Sequence, residues 1–306
     1  MTQAEESKAF DPEGFMDPRV SADPQPFYRH AQAHAAVVPG TFGSQVVRRS
    51  AVEYVLQHPE EFSSAMETVD LGQSVPLIPL QVDPPDHRNY RRLLDPIFAP
   101  RQMNALEPDI TRLVNERIDA FIDRGECDFA EDLAVPLPSS VFLRLVGLPL
   151  SQLDMFLAMK DGILRPAGGD IDEVVANQKV AAQKIEDYFT GVVEERQSKP
   201  AGQDDILSLF LTAEIDGQRL TVDEIVGTCF LFILAGLDTV TDSLECFMAY
   251  LAAHPAQRQR IVDDPSIIPS KVEELLRWES PVTTVARTAT SDIDLEGCPI
   301  KKGEGL

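Results

Sequence analysis

One apolar stretch, residues 221–253, limits the folds open to this chain more than any other feature. Thr221 with Glu224 three residues later forms the capping box that marks a helix start, and His254-Pro255 marks the end. At about 1.5 Å per residue, these 33 positions correspond to roughly 50 Å, far above the average helix. We therefore predict a mainly α protein whose longest helix crosses the whole domain.

The middle of this helix carries the sequence A-G-L-D-T at residues 235–239, which disfavours a regular helix. Glycine costs about 1 kcal/mol relative to alanine inside a helix. An acid in an apolar stretch is costly unless it is paired or used, and Asp and Thr compete for backbone hydrogen bonds. Two interpretations follow. Either the helix is opened so that Asp238 and Thr239 face a ligand, or Gly236 marks a close helix crossing and Thr239 bonds back to a carbonyl.

The charge of the chain argues against some partners. It has 27 Lys and Arg against 50 Asp and Glu, a net charge of −23, which disfavours nucleic acid and an anionic membrane surface. Residues 225–237 are too few to span a bilayer and run into Asp238, so we expect a buried core helix. The N-terminal residues do not read as a signal peptide, and the four cysteines have neither disulfide nor zinc spacing. We expect a cytoplasmic protein.

The rest of the chain is predicted to form one domain, residues 1–306, that is mostly helical after Pro85. We expect an extended arm at 1–28, a short strand pair within 35–50, an apolar loop at 63–84 suited to lining a pocket, and a small β region at 282–306 with a turn at Glu296-Gly297. Further helices are predicted at 51–58, 86–98, 102–124, 138–147, 151–164, 171–197, 204–212 and 269–279.

Residues 83–92, D-P-P-D-H-R-N-Y-R-R, suggest an anion site. His87 and Arg91 are four positions apart on one helix face and can hold one anionic group together. Arg88 and Arg92 add a local basic spot on an acidic protein, which suits the docking of an acidic partner. The alternative is a solvated basic helix start, although positive charge there opposes the helix dipole.

Glu274 and Arg277 form an E-x-x-R motif on one face of a predicted helix. An acid and a base three residues apart can pair. Taken alone, the motif is explained equally by an ordinary surface ion pair, which contributes little to stability.

In this order and spacing, the three motifs resemble the cytochrome P450 family, most closely soluble bacterial members of the camphor-hydroxylase type. The family carries A/G-G-x-D-T on its long central helix, E-x-x-R after it, and D-P-P-x-H-x-x-x-R before both. The segments at 286–288 and 301–303 resemble the family as well, so the likeness runs from about residue 20 to the end. It implies the P450 fold, mainly α with a minor β part.

The resemblance implies haem b as cofactor and assigns roles to individual residues. Thr239 would hydrogen-bond the oxygen bound at the iron and help deliver a proton, and Asp238 would relay protons from solvent. Ala235 and Gly236 would leave room for oxygen above the haem. Glu274 and Arg277 would be a buried structural pair that supports the haem-ligand loop. The haem propionates would be bound by His87, Arg91 and Arg287.

The implied activity is that of a haem-thiolate monooxygenase, which inserts one atom of O2 into a C–H bond of a small apolar terpenoid, steroid or fatty substrate. Electrons would come from NAD(P)H through a reductase and a ferredoxin that docks near Arg88, Arg91 and Arg92. No Tyr lies between Phe62 and Asp83, so we do not expect camphor itself to be the substrate. By family position, the pocket candidates are Val75, Leu77, Leu80, Leu164, Leu231, Leu234 and Val282.

The chain departs from the family at the axial ligand, a Cys thiolate in F-x-x-G-x-x-x-C-x-G. This motif is absent, and no glycine pattern of that kind surrounds Cys127, Cys229, Cys246 or Cys298. We expect the motif beyond Leu306, so that the chain is an incomplete form, truncated before the haem-ligand loop and the last helix, with poor solubility and no bound haem. Two alternatives remain at this point. One is a haem-free P450-like remnant acting as a ligand-binding or interaction protein, and the other is an unrelated all-α protein.

Overall fold

A computed structural model describes residues 20, 23–40, 43–65, 71–198 and 205–306 of the chain. The fold is mainly α with a minor β part, as predicted. The described residues form two compact units. The first comprises those within Met1–Asp70, Leu80–Asp86 and Val285–Leu306, and the second comprises those within Leu71–Pro79 and His87–Thr284.

The first unit contains all but one of the antiparallel strand pairs among the described residues. Its elements are α1 (Pro24–His34), β1 (Val37–Gly40), β2 (Gly43–Val46), α2 (Arg49–Gln57), β3 (Phe62–Ser63), β6 (Thr288–Ala289), β7 (Ile293–Leu295) and β8 (Cys298–Ile300). Strand β1 pairs with β2, β3 with β6, and β7 with β8, around a small core that includes Phe62, Leu295 and Ile300. The predicted strand pair and the predicted β region are both present.

Two local predictions for this unit have different outcomes. Glu296 and Gly297 both have positive φ, 52° and 84°, so the expected tight turn joins β7 to β8. The extended arm at 1–28 is not extended throughout, because Pro24 begins α1. Proline fits the first turn of a helix, where its missing N–H costs nothing. Residues 1–19, 21 and 22 of the arm lie outside the described residues.

The second unit holds the helices of the main core. These are α3 (Asp86–Leu94, of which Asp86 belongs to the first unit), α4 (Pro100–Asp119), α5 (Pro136–Val146), α6 (Leu153–Leu164), α7 (Ile171–Ser198), α8 (Ile206–Thr212), α9 (Val222–Leu237), α10 (Thr239–Ala253), α11 (Pro255–Asp263) and α12 (Ile268–Trp278). A hairpin of β4 (Glu214–Ile215) and β5 (Gln218–Arg219) precedes α9. Helix α3 ends at Leu94, four residues earlier than the predicted helix 86–98.

Helix α9 lies at the centre of the core, packed on α5, α6 and α7. Its side chains Phe230, Ile233 and Leu237 are fully buried, in one cluster with Phe156 and Phe189 of α6 and α7. By length and composition, Val222–Ala253 could cross a membrane, but 56% of its apolar 18-residue window is buried inside the protein. The burial agrees with the prediction that this segment is a core helix.

The predicted helix 221–253 is present but interrupted at one residue. The capping box forms at its start, where the Thr221 N–H donates to Glu224 Oε2 at 2.6 Å and the Glu224 N–H donates to Thr221 Oγ1 at 3.2 Å. Asp238, with φ −104° and ψ −45°, separates α9 from α10. The interruption lies within the A-G-L-D-T segment, where one of the two sequence interpretations expects an opened helix.

Two elements of this unit are not predicted from sequence. Pro255 was expected to end a helix, and it also begins α11, since proline is favoured at the first helical position. The β4–β5 hairpin turns on Asp216 and Gly217, both with positive φ. Asp-Gly is a typical signal for this two-residue turn.

Candidate functional site

Asp238, at the break between α9 and α10, is buried and bound by two cations. Only 9% of the residue is exposed. Lys160 donates from Nζ to Oδ1 at 3.0 Å. Arg165, the residue after α6, donates from Nη1 to Oδ1 at 2.9 Å and from Nη2 to Oδ2 at 3.1 Å. The acid that the sequence places in an apolar stretch is therefore paired, by residues that the sequence analysis did not identify.

The hydrogen bonds from Lys160 and Arg165 determine the ionisation of Asp238. Burial raises the pKa of Asp238, but the hydrogen bonds from Arg165 and Lys160 outweigh burial and leave the pKa below its ordinary value. Asp238 is therefore a carboxylate at neutral pH. Asp242, one turn further on, has a raised pKa because of its burial and the charge of Asp238, with Arg165 Nη2 3.7 Å away.

Hydroxyl side chains donate hydrogen bonds to backbone carbonyls on both sides of the break. Thr239 Oγ1 donates to the carbonyl of Ala235 at 2.8 Å, and Thr241 Oγ1 donates to that of Leu237 at 2.9 Å. Ser243 Oγ donates to the carbonyl of Thr239 at 2.8 Å. Threonine and serine that bond back in this way bend or open helices. The structure contains one feature of each sequence interpretation, since the helix is interrupted at Asp238 and Thr239 bonds back to a carbonyl. That Asp238 and Thr239 face a ligand stays a prediction.

Steric crowding does not require a glycine at position 236. A Cβ at this position would have Phe142 Cδ2 as its nearest neighbour, at an ordinary contact distance of 3.6 Å, so a close helix crossing does not explain the glycine. Gly236 and Ala235 instead line an apolar cavity of about 470 Å³. This volume lies within the usual range for small-molecule sites. Its other walls include Phe98, Ile110, Leu137, Phe142, Phe232 and Val240.

The seven predicted substrate-pocket residues lie in different surroundings. Leu77 is fully buried in the main core, and Val75, Leu231 and Leu234 pack against that core while partly buried. The remaining three are exposed: Leu80, Leu164 and Val282. Of these residues, none lines the cavity at Gly236.

The predicted anion residues His87 and Arg91 lie one turn apart on α3. Arg91 Nη2 is paired with Asp95 Oδ1 at 2.7 Å. Tyr90, between them, donates from its hydroxyl to Glu224 Oε1 at 2.5 Å and so ties α3 to the start of α9. Burial raises the pKa of Glu224, but the bonds from Tyr90 and the capping residue outweigh it, and the net pKa is lowered.

The other predicted basic residues fall in two places. Arg88 and Arg92 are exposed on α3, as an electrostatic docking face requires. Arg287 belongs to the first unit, where its backbone pairs with that of Leu306, with N···O distances of 3.0 and 2.8 Å. Its guanidinium donates from Nη1 to the carbonyl of Ala286.

Glu274 and Arg277 pair as the spacing predicts, but they are not buried. Two hydrogen bonds of 2.7 Å join Arg277 Nε and Nη2 to the Glu274 carboxylate. The two side chains are 56% and 63% exposed, which corrects the buried pair implied by the resemblance. Among the residues of α12, Leu275 alone is buried, and Glu274 lines a surface pocket with Tyr250 of α10 and Gln257 of α11.

Comparison with known proteins identifies relatives over most of the chain. A family model described as Cytochrome P450 matches residues 43–264. A steroid C26-monooxygenase of Mycolicibacterium smegmatis is 32% identical over 259 residues, 82% of this chain and 62% of that protein. A probable cytochrome P450 127A1 of Sinorhizobium fredii is 34% identical over 266 residues, 86% of this chain and 62% of that protein. The chain thus spans a little under two thirds of these relatives.

Several solved protein structures have the same fold as this chain. CYP109E1 from Bacillus megaterium in complex with testosterone superposes with a TM-score of 0.83 at 30% identity, covering 92% of this chain and 74% of that chain. P450BioI, solved in complex with an acyl carrier protein that carries hexadec-9Z-enoic acid, gives a TM-score of 0.84 at 25% identity. The alternative of an unrelated all-α protein is therefore wrong.

Proposed function

The chain belongs to the cytochrome P450 family, and on that premise we propose that the protein containing it is a cytoplasmic monooxygenase that hydroxylates a small apolar substrate. Oxygen is the co-substrate, and the electrons come from NAD(P)H through a reductase and a ferredoxin. The observation that carries the proposal is the break at Asp238. There an apolar cavity wall at Gly236, the buried carboxylate of Asp238 and the hydroxyl of Thr239 follow one another from the last turn of α9, across the break, to the first residue of α10.

The residues of the chain fit haem b only in part. Ala235 and Gly236 offer an apolar surface, and His87 with Arg91 offers cations for carboxylate groups. A thiolate ligand at the cavity is not offered by the described cysteines, since none of them lines it and burial raises the pKa of Cys229 to about 12. When bound with a thiolate, haem supplies the oxygen chemistry, and the protein supplies pocket and protons.

In this proposal Asp238 moves protons at one particular oxygen. Oδ1 is held by both Lys160 and Arg165, whereas Oδ2 is held by Arg165 alone. The Lys160 side chain is 5% exposed, whereas that of Arg165 is 54% exposed, so Arg165 is the partner that solvent can reach and replace. Movement of Arg165 therefore frees Oδ2 to accept a proton, while Lys160 keeps the carboxylate compensated.

Thr239 acts next to it as an acceptor. Its hydroxyl proton is donated to the Ala235 carbonyl, so the lone pairs of its oxygen are what it can present to a water molecule. A threonine fixed in this way orients a proton donor at the cavity without giving up its own proton.

The apolar walls of the cavity and the steroids named for two relatives support the proposed substrate class. The cavity walls beside Gly236 are apolar, and two relatives are named or solved with steroids. We include steroids, terpenoids and fatty compounds of similar size in the proposal. Arg88 and Arg92 form the docking face for the acidic ferredoxin, because they are exposed on a protein of net charge −23.

The test uses a protein that carries this chain together with the cysteine motif of the family. After reduction and addition of carbon monoxide, we expect the red-shifted Soret band of thiolate-ligated haem. Thr239→Ala should keep that band and lower the product formed per NAD(P)H consumed, and Ser243→Ala, one turn away, serves as the matched control. A protein with no such band, or equal coupling in all three forms, contradicts the proposal.

A further inference from the structure

A buried carboxylate on α7 holds a loop that is distant in sequence. Glu186 is 6% exposed, and both of its oxygens accept hydrogen bonds from Ser74. The Ser74 N–H donates to Oε1 and the Ser74 hydroxyl donates to Oε2, each at 2.6 Å and across 112 residues. Bonds to a charged acceptor are stronger than neutral ones, so this contact anchors the segment from Leu71 to Pro79, called loop 71–79 here.

Two glycines let helices approach the same loop closely. A Cβ on Gly227 of α9 would lie 2.2 Å from the Pro76 carbonyl oxygen, so no larger residue fits without moving the loop. Gly72 has a φ of +85°, and its Cβ would lie 2.7 Å from Lys179 Cα of α7. Loop 71–79 is therefore confined by α7 at Gly72 and Ser74 and by α9 at Pro76.

We propose that Glu186 is a positioning residue that sets the path of loop 71–79 and, through it, the shape of the substrate pocket. The last part rests on the proposed function and on the prediction from family position that Val75 and Leu77 belong to the substrate pocket, although neither lines the cavity at Gly236. Val75 follows Ser74 directly, and its Cγ2 would lie 3.6 Å from a Cβ on Gly227. A shift at Ser74 therefore moves Val75 with it, and Glu186 selects among substrates without contacting them.

Hydrogen exchange of this chain tests the anchoring itself. Glu186→Ala removes both acceptors, and we expect amides of loop 71–79 to exchange about tenfold faster or more, as loss of charged hydrogen bonds from a local opening unit predicts. Gly227→Ala should also speed exchange there by displacing Pro76. Glu186→Gln should stay close to wild type, because its amide can accept from the Ser74 N–H and donate to the Ser74 hydroxyl.

The controls separate anchoring from general stability. Gln183→Ala removes an exposed side chain of the same helix, whose amide bonds only the neighbouring turn at Asp187, and should leave loop 71–79 unchanged. Ser74→Ala keeps the backbone bond and should give an intermediate rate, which covers the case in which Glu186→Ala does not fold. Unchanged exchange in loop 71–79, or equally faster exchange throughout the chain, overturns the proposal.

The effect on specificity is measured separately, in the haem-containing protein. Glu186→Ala should change the ratio of products from a substrate with several reactive C–H bonds, or raise KM more than it lowers kcat, with the carbon monoxide spectrum unaltered. An altered exchange rate with no haem spectrum would show that the anchor is real and the proposed function wrong. A normal spectrum with unchanged product ratio and KM would refute the role in specificity.

Discussion

At the scale of single residues, the charge balance at Asp238 decides how substitutions act. Asp238→Ala leaves the buried Lys160 ammonium with the half-exposed Asp161 carboxylate 3.1 Å away, so we expect a loss towards the lower end of the about 3–5 kcal/mol typical of a broken buried pair. Arg165→Ala should cost clearly less, since the Arg165 side chain is half exposed and Lys160 still compensates the carboxylate. The free energy of unfolding in urea at pH 7 measures both. Equal losses in the free energy of unfolding for the two variants would show that the difference in burial between Lys160 and Arg165 does not determine which variant is less stable.

Unlike Asp238, Asp242 destabilises the folded state when it is ionised. Its raised pKa means that the folded state binds this proton more tightly than the unfolded state, so ionised Asp242 weakens folding at neutral pH and the penalty disappears as pH falls. Asp242→Asn should therefore increase the free energy of unfolding at pH 7, with a gain that shrinks towards about pH 4, where aspartate in unfolded chains titrates. Asp161→Asn, beside the same arginine, is the control. A gain that grows on acidification would contradict the assignment.

At the scale of helices and strands, the start of α9 depends on its capping box. Thr221→Ala removes the acceptor of the Glu224 N–H and should lower the free energy of unfolding by about 1 kcal/mol, as N-cap losses do. Thr221→Ser keeps the hydroxyl and should restore most of that loss. Thermal unfolding of the three forms is the measurement, and an unchanged midpoint for the alanine variant would mean that Tyr90 and Glu224 alone hold this end.

Two glycines of α9 should respond oppositely to the same change. Gly236→Ala meets only Phe142 at an ordinary distance, so the gain in helix propensity, up to about 1 kcal/mol, should stabilise the chain. Gly227→Ala meets the Pro76 carbonyl and should destabilise it. Urea unfolding distinguishes the two, and the same sign for both would show that propensity outweighs packing in this helix.

Sequence predicts these elements where the signal is local. The capping box at Thr221, the turn at Glu296-Gly297 and the end of the predicted helix 138–147 each depend on residues within a few positions, and each is found. The predicted helix 102–124 is shorter than expected, since α4 ends at Asp119 and a separate 3-10 turn at Ile122–Arg124 precedes Gly125. The family motifs predicted Asp238 and Thr239 as a site. Their partners could not be predicted in this way, because Lys160 and Arg165 lie 78 and 73 residues from Asp238 and reach it only through helix packing. The same is true of Ser74 and Glu186.

At the scale of the whole molecule, net charge and exposed apolar surface act against each other. The charge of −23 keeps chains apart by repulsion, while Trp278, Val272 and Ile268 of α12 are exposed and favour association. Salt screens the repulsion, since the Debye length falls from about 10 Å at 0.1 M to about 3 Å at 1 M. We expect light scattering of the chain to rise with added NaCl and to rise less in Trp278→Ser. Scattering that falls with salt would point to charge pairing between chains.

The pairing at Asp238 also constrains the order in which this sequence can change over generations. A lineage that loses Asp238 first must pass through a form in which the buried Lys160 ammonium relies on the half-exposed Asp161 carboxylate, 3.1 Å away. A lineage that first replaces Lys160 with an apolar residue keeps Asp238 bound at both oxygens by Arg165. The second route costs less stability than the first, so we expect Lys160 to be replaced before Asp238 where sequences diverge at both positions.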